Sequence, residues 1–296
     1  MGQAPSRGAA ESRRLDLAAA PDEVLLLVLS WVPARALATR CRLVCRRWRA
    51  AVDGATVWRL QLERAGRVAC LEAARLGPVA WARVGVLRPL GRNLLRNPCG
   101  AEKFARWEVQ DGGDGWAVEE NRRPLAGAPA QTCFASSFAW CSKSQLVDLL
   151  AEGLWEELLD VHQPEIHVSD WWAAREDCGC EYALRVRLLA ADRRVVLATF
   201  EARPEPVRQW NDQRYRQVSH VFRRYGPGVR YVHFSHRGKD TQFWAGHYGA
   251  RVTHSAVVVR LGPERGAGGR PALPAGPAPT RVAQLQAPPL AGAVGP

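Results

Sequence analysis

Residues 21–58 read PDEVLLLVLSWVPARALATRCRLVCRRWRAAVDGATVW, and this stretch decides the first part of the fold. Residues 24–29 form an unbroken apolar run, whereas a helix with one solvated face carries apolar residues only at i, i+3, i+4 and i+7. Residues 37–52 keep that helical spacing, with arginines on the other faces. A segment this short seldom buries enough of its own surface to be stable alone. The pattern therefore predicts a helical module whose surplus apolar face is covered by a partner protein.

The same stretch resembles an F-box, although the family's usual Leu-Pro opening is here Ala20-Pro21. The residues that match the family's apolar and proline positions are Pro21, Leu25, Leu29, Pro33, Leu37, Cys41, Val44, Cys45, Trp48 and Trp58. The resemblance implies that this face docks on the adaptor Skp1 and so joins a cullin-based ubiquitin ligase. The implied Skp1 contacts are Pro21, Leu25, Leu29, Pro33, Leu37, Cys45 and Trp48. The alternative is a helical hairpin inside one larger domain.

The composition of the 296-residue chain argues against several classes of protein. A formal net charge of +12 favours a nucleic-acid or acidic-membrane partner, but no run of five or more basic residues occurs. The eight cysteines include no CxxC pair, which is typical of reduced cytosolic thiols and not of a zinc site. No apolar segment reaches 18 residues, and a signal-peptide core is absent. We therefore expect a soluble cytoplasmic protein without a metal, a cofactor or a bound nucleic acid.

The first six residues, Met1–Ser6, fit the pattern for N-myristoylation of Gly2. One acyl chain binds a membrane only marginally, and Arg7, Arg13 and Arg14 would add attraction to anionic lipids. The alternative is a chance match to a short pattern. Acylation of Gly2 would place part of the protein at a membrane surface.

The chain changes character several times along its length. The predicted segments are a disordered tail over 1–20, the F-box module over 21–66, a helical linker over 67–90, a β-rich domain over 91–262 and a disordered Pro/Gly/Ala-rich tail over 263–296. The linker is expected to end at Pro89 because proline disfavours a continuing helix.

Short runs of alternating polarity beyond residue 90 are typical of β-strands. In Leu184–Leu188 the apolar residues face one way and the arginines the other. Comparable runs lie near residues 106–109, 115–119, 132–139, 165–172, 194–201, 217–223, 228–235 and 251–261. Ser142–Gln145 reads as a capping box, which predicts a helix running to Leu150. We therefore expect an α+β chain in which an antiparallel sandwich of about ten strands, with one or two helices, follows the helical module.

The β-rich domain carries no catalytic motif such as HExxH, GxSxG, a P-loop or GxGxxG. Asp170 and Asp177 lack the third group that an acid/base site needs. His220, His233 and His236 fall in strand-like runs and fit structural roles. The sequence thus predicts a non-catalytic domain.

Aromatic residues gather instead in one turn, residues 240–249, which read DTQFWAGHYG. A turn has little core to fill, so these rings indicate a recognition surface for a sugar, a peptide or a base. Tyr248 is assigned to filling the end of the sandwich.

Residues 91–261 resemble the F-box-associated domain of glycoprotein-recognising F-box proteins. The matching stretches are Gly91–Leu94, Gly112–Trp116, Phe134–Cys141, Asp170–Trp172 and Gly246–Thr253. The resemblance implies a β-sandwich that binds the inner chitobiose of high-mannose N-glycans at one end. It implies apolar contacts from Phe138, Phe243 and Trp244, and hydrogen-bond acceptance by Asp177. The strongest sugar binders of the family have Tyr where Phe243 stands and Lys where Ala245 stands.

Together these features predict a non-catalytic substrate receptor of an SCF-type ubiquitin ligase that selects N-glycosylated or misfolded glycoproteins. A protein degron could replace the glycan at the same loop end. Two further alternatives are a basic nucleic-acid-binding protein, whose affinity would fall steeply with salt, and a lectin or scaffold that joins no ligase.

Overall fold

The structure is a computed structural model that describes residues 20–74 and 81–261. The chain divides into two compact units between Arg88 and Pro89. The described part of the first unit is helical. Its elements are α1 (Asp22–Leu29), α2 (Ala34–Thr39), a 3-10 turn (Cys41–Leu43), α3 (Arg46–Asp53), α4 (Ala55–Arg64), α5 (Val68–Ala74) and α6 (Trp81–Leu87). None of these helices is long and apolar enough to cross a bilayer, nor is any other helix in the described ranges.

The core of the helical unit is centred on Trp58, which is fully buried and donates its indole N–H to the Val52 carbonyl at 2.7 Å. Its buried neighbours are Leu25, Leu29, Leu37, Val52 and Val57. Helix α6 packs on this core, and Gly85 is required there because a Cβ atom would lie 2.2 Å from the Trp58 ring. Residues of the predicted linker therefore complete the core of the helical unit.

The second unit is a sandwich of two five-stranded antiparallel sheets, within the described residues. Its strands are β1 (Glu108–Gln110), β2 (Ala117–Glu120), β3 (Thr132–Ala135), β4 (Cys141–Asp148), β5 (Glu165–Ala173), β6 (Cys180–Leu189), β7 (Val196–Ala202), β8 (Arg216–Phe222), β9 (Tyr231–Asp240) and β10 (Arg251–Arg260). One sheet has the order β1-β4-β9-β6-β7 and the other β2-β3-β10-β5-β8. The expected fold class, a helical module followed by an antiparallel sandwich, is confirmed.

A buried polar cluster joins the two sheets. The Asp170 carboxylate on β5 accepts hydrogen bonds from Tyr182 Oη at 2.6 Å and Ser255 Oγ at 2.8 Å, and lies 2.5 Å from His236 Nδ1. The Lys143 ammonium on β4 lies 3.3 Å from the centroid of the Trp107 ring. Burial lowers the pKa of Lys143 well below its usual range, although Asp170 opposes the shift. His236 is thus a structural residue, as expected, and Asp170 belongs to the core.

The predicted helix over residues 142–150 is wrong, because residues 141–148 form the interior strand β4 between β1 and β9. The alternation is present but two of the inward positions are polar. Lys143 points in among aromatic rings, and the Gln145 amide exchanges hydrogen bonds with the backbone of Arg96 at 3.0 and 2.7 Å. A helical segment lies instead at Leu158–His162.

Several predictions from the sequence fall outside the described ranges. They concern the predicted tail over 1–20, of which only Ala20 is described, and the tail over 263–296. The lipidation candidate Gly2 belongs to the first of these. The proposed domain limits remain predictions.

Candidate functional site

Five loops meet at one end of the sandwich, because the strand register places their flanking residues side by side. They span residues 111–116, 136–140, 174–179, 203–215 and 241–250. This end brings the four predicted glycan contacts into one region of the domain.

The loop that follows β9 is held by hydrogen bonds to buried or neighbouring groups. The Asp240 carboxylate accepts the backbone N–H groups of Phe243 at 2.7 Å and Trp244 at 3.0 Å. Gly246 donates its N–H to Asp114 Oδ2 at 2.5 Å and accepts from Ser137 Oγ at 2.7 Å. Phe243 has a φ of 59°, a strained value for a bulky residue. The loop is therefore preorganised by contacts with two other segments.

Two aromatic pairs lie on this loop end. The Phe243 ring is 75% exposed and meets the Phe138 ring edge-to-face, with 5.0 Å between centroids. The Trp244 ring is 39% exposed and meets the Tyr248 ring edge-to-face at 5.5 Å. Both pairs leave apolar ring surface open to solvent beside polar backbone groups, which suits a ligand with an apolar face and hydroxyl groups.

A chain of contacts connects the second aromatic pair to Asp177. The Arg175 guanidinium lies 4.4 Å from the Tyr248 ring centroid, and Arg175 Nε donates to Asp177 Oδ1 at 2.6 Å. Tyr248, which the sequence assigned only to filling the sandwich end, is half-buried and is the bridge between Trp244 and Arg175. Asp177 Oδ2 has no hydrogen-bond partner in the described part of the chain and can accept from a ligand.

The five loops contain one cysteine, Cys178. Burial raises the pKa of the Cys178 thiol beside Asp177, so this cysteine is protonated at neutral pH and is a poor nucleophile. Asp170 lies in the polar core and Asp177 in a loop, so the two carboxylates do not form a pair. Within residues 20–74 and 81–261, no cluster of His, Cys, Asp or Glu has the arrangement of a metal site.

The helical unit carries a second candidate surface on the outer side of α1. Val24, Leu27, Val28 and Trp31 have the i, i+3, i+4, i+7 spacing of one helical stripe, and all four are exposed. Their exposed fractions rise from 39% at Val28 to 70% at Trp31. Leu43 and Val44 of the 3-10 turn and its cap are also exposed. We call these four residues, of which Trp31 lies just beyond the C-terminal end of α1, the α1 stripe.

Comparison with known families identifies both units. Residues 85–259 match the model described as "F-box associated region", and residues 20–62 match the model described as "F-box-like". F-box only protein 27 of Mus musculus is 54% identical over 258 residues, which cover 83% of this chain and 92% of the relative. The chain is an F-box protein with an F-box-associated domain. F-box only protein 17 of Homo sapiens is also 54% identical, over 261 residues that cover 83% of this chain and 94% of the relative.

Among solved structures, TmCBM61 in complex with beta-1,4-galactotriose aligns with 58% of this chain and 100% of its own length. The TM-score is 0.38 and the identity 14%, a similarity too low to bear on the ligand of this F-box protein.

The structure shows where the Skp1 contacts implied by the F-box resemblance lie in the helical unit, and their role stays a prediction. Leu25, Leu29 and Leu37 are at most 1% exposed and belong to the core of the helical unit. Pro21, Pro33 and Cys45 are exposed, and Trp48 is half-buried. An eight-residue helix that is apolar on all sides buries one face in its own core and leaves another face open. The α1 stripe, which the family pattern did not single out, is the open face.

The loop end also contains an aromatic residue that the sequence reasoning missed. Trp210, between β7 and β8, is 75% exposed. The sequence contains a signal for the exposure of Trp210, because a tryptophan between Gln209 and Asn211 has no apolar neighbours in the sequence to pack against.

Proposed function

We propose that this F-box protein is a non-catalytic substrate receptor that joins glycoprotein clients to a ubiquitin ligase. The helical unit would bind Skp1 and through it a cullin scaffold, while the loop end of the sandwich would hold N-glycosylated or misfolded glycoproteins. The observation that carries the proposal is the gathering of Phe138, Asp177, Phe243 and Trp244 at one preorganised loop end. Such a receptor accelerates ubiquitin transfer by holding the client near the conjugating enzyme, which is a proximity effect.

The chemistry of the loop end matches the two faces of a pyranose ring. The C–H face of the sugar stacks on an aromatic ring such as Trp244, and its hydroxyl or N-acetyl groups donate to a carboxylate such as Asp177. Because Arg175 occupies one carboxylate oxygen of Asp177, the side chain is oriented before the ligand arrives. A held carboxylate loses less conformational entropy on binding than a mobile one.

The α1 stripe supports the part of the proposal that concerns Skp1. Four exposed apolar residues along α1 and the turn after it form a surface typical of helix-mediated docking. All eight cysteines are free thiols in the structure, which fits a reducing compartment, and we place the role in the cytoplasm.

Two departures from the best sugar binders of the family set the expected strength. Phe243 lacks a hydroxyl group and Ala245 lacks an ammonium group, and each missing donor weakens binding by about 0.5–3 kcal/mol. We therefore expect measurable but weak affinity for the chitobiose core. The exposed position of Ala245 leaves room for a longer side chain.

Titration of the full-length protein with chitobiose and high-mannose oligosaccharides tests the proposal. We expect binding by the wild type, loss of at least about tenfold in Trp244→Ala, and a gain of about three- to tenfold in the double variant Phe243→Tyr, Ala245→Lys. Trp31→Ala removes an equally large exposed ring from the helical unit and serves as the matched control. A wild-type glycan signal no higher than that of Trp244→Ala would refute glycan recognition by this loop. If the wild type and Trp244→Ala then still captured a client protein equally, a protein degron would be favoured.

A further inference from the structure

Trp210 combines two properties that protein folding alone does not favour. Its side chain is 75% exposed, and its φ of 60° is a left-handed value that costs energy in a bulky residue. Neither exposure nor strain stabilises the sandwich. A large ring held in this way is typical of a residue kept for contact with a ligand.

Hydrogen bonds join the segment around Trp210 to the turn that carries Asp177. Trp210 donates its N–H to the Glu176 carbonyl at 2.8 Å, and Asn211 Nδ2 donates to the Arg175 carbonyl at 2.6 Å. Gln209 Nε2 donates to the Asp177 carbonyl at 3.0 Å. Three consecutive residues, 209–211, therefore donate to three consecutive carbonyl groups of the Asp177 turn, which fixes the position of Trp210 relative to that turn.

The same turn fixes the Trp210 loop to the loop that carries Phe243 and Trp244. Gly179 lies between them: a Cβ atom there would come within 2.3 Å of the Val207 carbonyl and 2.5 Å of Thr241 Oγ1. Thr241 also donates its N–H to the Gly179 carbonyl at 3.1 Å. The close packing makes Trp210 a part of the loop end and not of a separate surface.

We propose that Trp210 is a second carbohydrate-stacking platform, which contacts a mannose ring beyond the chitobiose that the Phe243–Trp244 loop would hold. This inference rests on the proposed glycan-binding function and extends the same site. A polypeptide anchor would need an apolar pocket around the ring, but the neighbours in the segment are polar: Arg208, Gln209, Asn211, Asp212 and Gln213. A sugar needs one open aromatic face flanked by hydrogen-bonding side chains, and the Trp210 turn supplies both.

The test compares two oligosaccharides on the full-length protein: chitobiose and trimannosyl chitobiose. We expect the wild type to bind the longer sugar about tenfold more tightly. Trp210→Asn should lose that preference, with about tenfold weaker binding of trimannosyl chitobiose, a change of about 1.4 kcal/mol. Asparagine tolerates a left-handed φ, so this variant removes the ring without adding strain. Trp210→Phe should retain part of the preference, and thermal unfolding of each variant monitors the fold.

The outcomes separate this inference from the proposed function. A wild type that binds neither sugar refutes both. A wild type that binds the two sugars equally, or a Trp210→Asn variant that keeps the full preference, overturns the role of Trp210 and leaves glycan binding intact. Loss of chitobiose binding in Trp210→Asn together with a wild-type melting temperature also contradicts the inference, because it would place the ring at the inner sugars.

Discussion

The helical unit exposes three aliphatic side chains and one tryptophan along α1 and the turn after it, whereas the sandwich exposes aromatic rings on loops that hydrogen bonds hold in place. The α1 stripe is the open side of a helix whose other side forms a core, and in the proposed role its attraction to Skp1 would come mainly from burial of apolar surface. The loop end is built around carboxylates, since Asp240, Asp114 and Asp177 orient the backbone or side chains beside the rings.

This difference predicts that the two surfaces bind different kinds of partner and respond to different substitutions. An apolar stripe of fixed shape suits one permanent protein partner, and a single charge within it leaves an unpaired, desolvated group in the interface. A loop end of rings and carboxylates suits polar ligands that differ from client to client. Damage to one surface should therefore leave the other intact.

The largest effect is expected for a charge in the α1 stripe. Leu27→Asp should weaken Skp1 capture by at least about a hundredfold, because the interface would have to bury an unpaired carboxylate. Leu27 is 52% exposed, so the core of the helical unit is preserved. The measurement is co-purification with Skp1, followed by titration of the purified complex.

Leu197→Asp supplies the matched control, because Leu197 is an exposed leucine on β7 of the sandwich. It should leave Skp1 capture unchanged. Equal capture by Leu27→Asp and the wild type would mean that the stripe is not the docking surface.

An intermediate effect on binding is expected when the loop after β9 loses the hydrogen bonds that hold it. Asp240→Ala removes the acceptor of two backbone N–H groups, at Phe243 and Trp244, and should weaken glycan binding by about tenfold. Skp1 capture should not change. Asp240→Asn keeps one acceptor oxygen and should lie between wild type and Asp240→Ala in the same titration. Wild-type glycan affinity in Asp240→Ala would show that the ligand itself orders the loop.

The smallest effect is a pH dependence of stability that distinguishes the two units. All seven histidines lie in the sandwich. Burial lowers the pKa of His220, His233 and His236 below the usual value of about 6.5, so the unfolded chain binds more protons there than the folded one. The free energy of unfolding of the sandwich should therefore fall as pH decreases through about 6.5, whereas that of the helical unit should not change in this range.

Amide hydrogen exchange at pH 7.5 and 5.5, corrected for intrinsic rates, measures the two units separately. His220→Gln removes one of the three contributions and should reduce the difference. Greater loss of protection in the helical unit than in the sandwich at pH 5.5 would contradict the assignment of the pH dependence to the histidines.

The sequence was sufficient for the order of the two units because their periodicities differ. Alternation in Leu184–Leu188 lies in strand β6, and the helical spacing of residues 37–52 lies in α2 and α3. Strand β4 was missed because inward-pointing Lys143 and Gln145 hide its alternation. Only the packed neighbours, the Trp107 ring and the Arg96 backbone, show why polar residues are tolerated there.

The two candidate sites could be predicted from the sequence to different degrees, because local patterns do not show what a side chain packs against. The aromatic cluster in residues 240–249 marked the loop end directly. The F-box pattern, however, records apolar character without distinguishing core from surface, so it does not show that Leu25 and Leu29 are buried while Leu27 and Trp31 are exposed. The polar neighbours of Trp210 in the sequence marked it as exposed, but its attachment to the Asp177 turn depends on hydrogen bonds between distant loops, which no local pattern reveals.

The burial of Lys143 also bears on how long such a receptor would survive beside its own ligase. The chain contains three lysines, at positions 103, 143 and 239. Lys143 is enclosed by aromatic rings, and the Lys239 ammonium lies 2.9 Å from a Glu181 carboxylate oxygen, which leaves Lys103 as the one exposed, unpaired ammonium among the side chains of the described ranges. In the proposed role, a receptor with so few acceptor amines would pass ubiquitin to its clients while rarely marking itself for destruction.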